Sequence, residues 1–421
     1  MKIIFWLSLI GIFYTYLGYP ALMWLLARIR PRPWKVAPIT PSVSVILAVL
    51  NGAALLPSKM QHLLGLDYPN LKEIVIVSDG STDGTAELLA HQQYPRVKAI
   101  VLQDHAGKAV AVNVGMAEAT AEVILFVDIR TEIAPGAIQQ LVSNFADPMV
   151  GCVCGKLTLR QGGHDAASAA VGGFYWRYEQ WLRVCEAISD SPVGVTGCFY
   201  AVRRNLAVRQ PDGIILDDMY QPLSIIRQGY RSVIDPQAHV YDSLPKQIKG
   251  EFQRKVRTLA GNFQLLQLAP WTLTPQDRVL FRLVSHKLMR LAVPYLMGLF
   301  LFSTLVLSAH SPVYAVLASV QVLGLAIAIA GLHFRIPVLH RIAAPASALL
   351  VLNAAAIVGL YKFLFTRGPL WKIWKSSKPP STGSTSECEH LTFPEPVAAA
   401  AQTTAGMQVT IHNSERSIRS S

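Results

Sequence analysis

The stretch Glu73-Ile-Val-Ile-Val-Ser-Asp79-Gly-Ser-Thr-Asp83-Gly-Thr85 joins an apolar run to a turn that carries two carboxylates. The apolar run is typical of a buried β-strand, and a strand that stops at Asp-Gly places its last side chain at its carboxyl end. Open α/β sheets bind ligands at that edge. Two carboxylates there suit a ligand rich in hydroxyl and amide groups, such as a ribose with a pyrimidine base. The alternative is structural, with Asp83 as the N-cap of a helix that begins near Thr85.

Apolar runs alternate with helical patterns around this stretch. The predicted strands and helices cover, in turn, strands 43–50, 71–77, 97–102 and 123–127, and helices 55–66, 85–91 and 108–119. Strands and helices that alternate at this spacing predict an α/β domain with a mostly parallel sheet and right-handed crossovers. Asp79 and Asp128, which end two of these strands, are therefore expected at the same edge of the sheet.

The composition predicts a membrane protein. The chain has 421 residues, of which 52% are hydrophobic and 15% charged. Residues 3–27 carry no charged side chain and exceed the roughly 20 residues that cross a bilayer. A cleaved signal peptide fits less well, because the run is long and no small-x-small site follows it. Three further apolar stretches of near-spanning length cover 291–309, 313–332 and 342–365.

Basic residues next to these stretches predict the orientation. The net charge is +12, and Arg28, Arg30, Arg32 and Lys35 follow the first helix directly. The positive-inside rule then places the soluble domain in the cytoplasm and the chain in the cell membrane. Strict alternation puts the C-terminus outside, whereas its basic cluster favours the inside. Either one late segment is re-entrant or that cluster is tolerated outside. Basic residues that flank a bilayer do not form the compact basic face of a nucleic-acid-binding module.

Cysteine usage and the tail add two expectations. Cys152 and Cys154 alternate on a predicted strand, and no spacing among the five cysteines indicates zinc or a disulfide framework, which is typical of a reducing compartment. No His pair has metal-ligand spacing. The tail after Ser376 is rich in Ser, Thr, Ala and Pro without periodicity and is predicted to be disordered.

Several short motifs resemble family 2 glycosyltransferases, in the same order. They are Asn51, the run from Asp79 through Asp83, Gly107-Lys108 with Asn113, Phe126-Val-Asp128, Thr196-Gly197 through Arg203-Arg204, Leu216-Asp217-Asp218, and Arg254 through Arg257 to Asn262. The resemblance covers about Pro41 to Leu266, and the membrane helices extend it to the polysaccharide-synthase branch. It implies a GT-A-like nucleotide-sugar-binding domain with α-helical transmembrane segments, and an inverting transfer of a sugar from a nucleotide donor, expected to be a UDP-sugar.

The resemblance also assigns the donor residues. Asp79 and Asp83 would hold the uracil–ribose half of the donor, with Asn51 and Lys108 in the same site. Asp128 stands at the first position of the family's DxD motif, which holds a divalent cation, Mg²⁺ or Mn²⁺, against the diphosphate. Here the motif reads Asp128-Ile-Arg130, so the second carboxylate is missing. Arg130 either pairs with the diphosphate in place of part of the cation's charge or points away from it.

The resemblance assigns the catalytic base to Asp218, because Asp217-Asp218 stands where the family has Thr-Glu-Asp or a related motif, whose final Asp is the base. An inverting transferase needs one carboxylate that takes the proton of the acceptor hydroxyl. Two adjacent carboxylates on an apolar segment repel each other, which raises at least one pKa. The alternative is a helix N-terminus, and both hold if Asp217 caps the helix while Asp218 reaches the site.

A basic amphipathic segment follows the soluble domain. Residues 246–268 alternate basic and apolar side chains, which is typical of a helix in the membrane interface. Synthases carry Gln-x-x-Arg-Trp here, in contact with the diphosphate and the acceptor. In this chain Arg254 and Arg257 occupy the Gln and Arg positions, and Thr258 replaces the stacking Trp. The loss of this Trp favours a single transfer to a lipid acceptor. The last three helices favour chain elongation instead, because they could form a secretion path for a polymer.

These expectations divide the chain into a membrane helix with its basic flank, a catalytic domain, interfacial helices, three membrane helices and a tail, at 1–35, 36–245, 246–287, 288–366 and 367–421. The expected partners are the donor, a glycan or lipid-linked acceptor, membrane lipids, and export or accessory subunits. Two other functions stay open. One is a sugar nucleotidyltransferase, but such an enzyme should carry a Gly-rich phosphate loop, which this sequence lacks. The other is a non-catalytic membrane scaffold, which only the altered DxD motif favours.

Overall fold

The computed structural model describes residues 1–160, 166–243, 248–333 and 337–370. The predicted disordered tail lies outside these ranges. A mixed sheet of eight strands forms the centre of the soluble domain. Its strands are β1 Val43–Val49, β2 Leu71–Asp79, β3 Val97–Leu102, β4 Val123–Val127, β5 Glu132–Ile133, β6 Val150–Arg160, β7 Phe199–Arg203 and β8 Arg231–Ser243. Their order is β3-β2-β1-β4-β7-β6-β8-β5.

The first four strands confirm the predicted parallel α/β core. β1 pairs in parallel with both β2 and β4, and β2 pairs in parallel with β3. β4 is buried along its whole length, as expected for a strand covered on both faces. β7 is antiparallel to β4 and to β6, whereas β6 and β8 are parallel. The loops after β1, β2 and β4 therefore open at one edge of the sheet.

Helices cover both faces of the sheet and build the membrane region. They are α1 Lys2–Phe13, α2 Tyr19–Ile29, α3 Leu56–Leu64, α4 Thr85–Ala90, α5 Lys108–Glu118, α6 Ala137–Ser143, α7 Ala166–Ser189, α8 Asp217–Arg227, α9 Ile248–Leu268, α10 Leu280–Arg282, α11 Met289–Ser308, α12 Pro312–His333 and α13 Pro337–Phe365. A π-helical turn joins α1 to α2, and a second one joins α10 to α11.

Four helical stretches in the described part of the chain are long and apolar enough to cross a membrane. They are Lys2–Ile29, Leu280–Ser308, Pro312–His333 and Pro345–Phe365. The first packs antiparallel on the second, since Phe5 contacts Phe300 and Tyr14 bonds Ser285 at the opposite end.

The basic helix α9 links the soluble domain to the last membrane helix. A Cβ at Gly261 would lie 2.8 Å from Leu216, the residue before α8. A Cβ at Gly359 in α13 would lie 3.1 Å from the backbone nitrogen of Ala260. Both glycines thus allow close approach, and α9 is packed between α8 and α13.

The segment formed by the last three helices contacts the soluble domain at its beginning and at its end. Leu283, near the start of the second candidate span, and Leu370, just after the last, belong to one buried cluster with Ile214 and Leu216. Between them, Gln321 of α12 donates a hydrogen bond to Thr304 at 3.0 Å. Ser347 of α13 donates one to the carbonyl of Ala328, also in α12, at 2.8 Å.

Candidate active site

The loops after β1 and β2 are tied together by side chains that the sequence singled out. Asn51 has a left-handed backbone, with φ of +52°, and its side-chain oxygen accepts the Thr82 N–H at 2.8 Å. Asp83 accepts the Ala53 N–H at 3.0 Å through one oxygen and the Thr85 N–H at 3.2 Å through the other. The helix does begin at Thr85, but its N-cap is Gly84, so Asp83 supports the first turn from one residue earlier.

The carboxylate of Asp79 is turned toward a third loop. Asp79 is buried, and one of its oxygens accepts the Ala106 N–H at 2.8 Å. Its other oxygen accepts the Gly107 N–H at 3.0 Å and lies 2.9 Å from His105 Nδ1. Gly80 makes this contact possible, because a Cβ there would collide with the His105 backbone and its φ is +62°. Asp79 therefore holds the loop that leads into α5.

Lys108 joins two groups of predicted residues. It is the first residue of α5, directly after the loop that Asp79 holds. Its ammonium lies 3.0 Å from Asp217 Oδ2 and 3.5 Å from Asp128 Oδ1. Burial by itself would lower the pKa of Lys108, but the nearby carboxylates of Asp128, Asp217 and Asp218 outweigh it and raise that pKa. A permanent cation thus stands between the end of β4 and the start of α8.

Asp217 does not cap α8 through its side chain, so that hypothesis is wrong. The N-cap is Leu216, and no side-chain hydrogen bond caps the helix. The carboxylate of Asp217 is directed to Lys108 instead, because an ion pair at 3.0 Å is available there. Asp217 contributes to the charge balance of the site.

Asp218 is packed against the segment that precedes β7. A Cβ at Gly197 would lie 2.8 Å from the Asp218 Cβ, so only glycine leaves room for this carboxyl group. The Asp218 carbonyl accepts the Val195 N–H at 3.0 Å. Burial and the adjacent Asp217 raise the pKa of Asp218 to about 6, against the opposing effect of Lys108, Arg183 and Lys287. A carboxylate with such a pKa is suited to accept a proton near neutral pH.

Arg130 pairs with a carboxylate that the sequence did not single out. Its guanidinium lies 3.7 Å from Asp242 Oδ2 near the end of β8, and the Arg130 side chain is 55% exposed. Lys59 is buried, and its ammonium donates to the Thr131 carbonyl of the same loop at 2.5 Å. Burial lowers the pKa of Lys59 to about 8. The sequence did not predict Lys59, Asp242 or His105 as site residues, because each contacts the site through a residue that is far away along the chain.

The residues fit at most a weakly held metal ion. No group of three or more His, Cys, Asp or Glu side chains that could hold a metal occurs in the ranges the structure describes. Asp128, whose side chain is 40% exposed, offers one carboxylate at the open edge. Hard cations such as Mg²⁺ often bind through one or two carboxylates plus substrate phosphates, so this donor set fits an ion that arrives with a diphosphate.

Arg254 and Arg257 lie on exposed positions of α9. They are separate from the Lys108 cluster along the chain, and their assignment to the diphosphate and acceptor stays a prediction. The four cysteines in the described ranges are free and buried.

Comparison with known proteins gives a consistent family. Residues 44–206 match the family model described as Glycosyl transferase family 2. The chain is 26% identical over 233 residues to the poly-beta-1,6-N-acetyl-D-glucosamine synthase of Staphylococcus aureus (strain COL), a match that covers 53% of this chain and 55% of that protein. The synthase of Staphylococcus epidermidis is 25% identical over 279 residues, 64% of this chain and 66% of that protein.

One solved structure resembles most of this chain. The mannosyltransferase PcManGT from Pyrobaculum calidifontis, in complex with GDP-Man and Mn²⁺, has a TM-score of 0.64 and is 23% identical. The match covers 85% of this chain and 98% of that one. The likeness confirms the expected GT-A-like fold.

Proposed function

Because residues 44–206 form a domain of glycosyltransferase family 2, we propose that this membrane protein transfers a sugar from a nucleotide donor to an acceptor hydroxyl with inversion at the anomeric carbon. The observation that carries the proposal is the convergence on Lys108, whose ammonium joins Asp128 at the end of β4 to Asp217 beside Asp218. This cluster stands at the sheet edge where open α/β sheets bind ligands.

The nucleotide half of the donor is held at the neighbouring loops. Asp79 and Asp83 fix the walls of this part of the site through the Ala106 and Ala53 N–H groups. With these walls in place, the polar turn of residues 80–83 contacts the ribose and base in this proposal. UDP is the favoured donor nucleotide by family resemblance, and GDP is the alternative because PcManGT was solved with GDP-Man.

The proposed chemistry needs one base and one neutralised leaving group. Asp218 accepts the proton of the acceptor hydroxyl as its oxygen attacks the anomeric carbon, and the bond from that carbon to the nucleoside diphosphate breaks. Lys108 stabilises the departing phosphate charge, and Arg130, whose side chain is 55% exposed and whose pair with Asp242 is long at 3.7 Å, reaches that charge by leaving Asp242. A divalent cation carried by the diphosphate would be held by Asp128 and would supply further positive charge.

The acceptor is a growing polysaccharide or a lipid-linked sugar at the membrane. The relatives from Staphylococcus, named as polysaccharide synthases, favour the polysaccharide. Thr258 in place of the family's Trp favours a single transfer to a lipid. Product length, measured after incubation of vesicles with labelled donor, separates the two.

A donor survey tests the proposal. The purified full chain in lipid vesicles is incubated with single UDP- or GDP-sugars, with Mg²⁺, with Mn²⁺ or with a chelator, and the release of nucleoside diphosphate is measured. We expect one donor to be turned over, with weaker dependence on metal than an intact DxD site gives. No release from any donor, together with intact folding, would favour the non-catalytic scaffold.

A further inference from the structure

A row of ion pairs connects α7 to the start of the second membrane helix. Three acidic residues, Glu179 and Glu186 of α7 and Asp190 directly after it, face the basic residues of the segment 278–290 in antiparallel order. The pairs, from one end to the other, are Arg278 with Asp190 at 3.2 Å, Arg282 with Asp190 at 3.6 Å, His286 with Glu186 at 2.7 Å, Lys287 with Glu179 at 3.2 Å, and Arg290 with Glu179. We call this row the ionic zipper.

The ionic zipper is buried, so its charged groups depend on one another as partners. Glu179, Glu186 and His286 are each at most 4% exposed. Burial alone would raise the pKa of Glu179, but the neighbouring Lys287 and Arg290 and the hydrogen-bonded His286 hold that pKa well below its ordinary value. His286 and Lys287 are consecutive residues in a π-helical turn, and both reach Glu179. Such turns recur at functional sites, and breaking a buried pair of this kind is strongly destabilising.

Arg183 of α7 connects Glu179 of the ionic zipper to the candidate base. Arg183 donates through Nε to Glu179 at 3.2 Å and through Nη1 to the Val195 carbonyl at 3.3 Å. The Val195 N–H in turn donates to the Asp218 carbonyl at 3.0 Å. Two residues later, Gly197 packs directly against the Asp218 side chain.

We propose that Arg183 is a positioning residue for Asp218, which it holds through the segment Val195–Gly197 and anchors to the second membrane helix through Glu179. This inference rests on the proposed function, in which Asp218 is the base. It means that the membrane helix fixes the place of the base, so the transferase is competent only when docked on its own membrane region.

The same contact places a charge near the base. The groups that act on Asp218 are Asp217 of α8, Lys108 of α5, Arg183 of α7 and Lys287 of the second membrane helix. The buried thiol of Cys154 and phenol of Tyr200 lie close enough to be affected by it. Because Arg183 favours the ionised form of Asp218, its removal raises the pH at which the base becomes active.

The test compares three variants in the full chain in vesicles. Turnover of the donor found in the survey is followed from about pH 5 to about pH 8, together with nucleotide affinity. For Arg183→Gln we expect a lower turnover, and we expect the acid limb of the pH–turnover profile to shift to higher pH by about half a pH unit to one pH unit. For Arg183→Lys, which keeps the charge but not the two-armed contact, we expect lower turnover with the limb in place. Arg209→Gln, which removes an exposed arginine paired with Asp212, should match the unaltered chain.

A purely structural Arg183 would lower the yield of folded protein without moving the limb, and an unmoved limb in Arg183→Gln overturns the proposal. If Arg183→Gln does not fold, Lys287→Gln replaces it, with the same direction of shift expected and an unmoved limb again contradicting us. Asp218→Asn is measured in parallel. Should that variant keep full turnover, the assignment of the base fails rather than the role of Arg183 alone.

Discussion

At the scale of single residues, the site is organised by unequal charges around one ammonium. Lys108 is shared by Asp128 and Asp217, while Asp218 has no cation at ion-pair distance among its described contacts. An unpaired carboxyl group beside a paired one is the one whose pKa rises, since burial and the like charge are not offset by a partner. The same cluster thus separates Asp217, the ion-pair partner of Lys108, from a proton acceptor, Asp218.

Asp79 is expected to matter for both nucleotide binding and stability. In Asp79→Ala, the N–H groups of Ala106 and Gly107 lose their buried acceptor, and the loop before Lys108 is released. We expect weaker binding of the donor nucleotide and a loss of about 1–3 kcal/mol in the free energy of unfolding. Calorimetry with UDP and GDP and denaturant unfolding measure both, with Asp104→Ala in the same loop as the control. Unchanged affinity for both nucleotides would remove Asp79 from the donor site.

The sequence was sufficient to name these residues, because each one follows a strand end or opens a helix. It was insufficient to predict their partners. That Asp79 faces the backbone of Ala106, that Asp217 meets Lys108 instead of capping α8, and that Arg130 meets Asp242 all depend on segments that are distant along the chain. Periodicity carries no information about such contacts.

At the scale of elements, α9 transmits the position of the membrane helices to the start of α8. Gly261 lies against Leu216 and Ile215, and Gly359 of α13 lies against the α9 backbone. The strands before Asp128 were predictable because each is a short, wholly apolar run. The strands β7 and β8 were not predicted, since β8 contains Pro236 and several charged residues and gains its stability from a long parallel pairing with β6.

A larger side chain at Gly359 is expected to disturb this arrangement. Gly359→Leu forces α13 away from the backbone of Ala260, which is 3.1 Å from an added Cβ. We expect a loss of about 1–3 kcal/mol in stability and a several-fold lower turnover, because α9 shifts against Leu216. Gly298→Leu is the matched control, since nothing lies within 4 Å of a Cβ there. Equal behaviour of the two variants, measured by thermal unfolding in detergent and by donor turnover, would contradict the role of α9.

At the scale of the whole molecule, the last three helices begin and end on the face that carries the soluble domain. Leu283, near the start of the three helices, and Leu370, just after them, share one buried cluster. Three complete crossings of the membrane would place these two residues on opposite sides. The two contacts of α12, to Thr304 and Ser347, both lie roughly 25–30 Å along their helices from the domain. We infer that α12 runs across the far ends of α11 and α13 without crossing the membrane. This favours the first of the two topologies that the basic C-terminal cluster left open.

Labelling of single cysteines tests this topology. In a chain with Cys388→Ser, whose other cysteines are buried, an impermeant maleimide should label Ala309→Cys in intact cells. Ala117→Cys in the soluble domain and Ser421→Cys in the tail should react only after permeabilisation, because both are expected in the cytoplasm. Labelling of Ser421→Cys in intact cells would show that α12 crosses, and labelling of Ala117→Cys would reverse the orientation.

The most direct test of the account is the turnover of Asp218→Asn in the full chain reconstituted in vesicles. Asparagine is nearly isosteric with aspartate and preserves the packing against Gly197, but it cannot take the acceptor's proton. The account predicts a fall of about 10²–10⁴ in turnover with donor affinity almost unchanged. It also predicts that the unaltered chain loses activity as the pH falls through about 6, where Asp218 becomes protonated. Asp217→Asn, which removes the partner of Lys108, should reduce turnover less. Near-native turnover of Asp218→Asn would contradict the assignment of the base, and abolished turnover in Asp217→Asn alone would exchange the two roles.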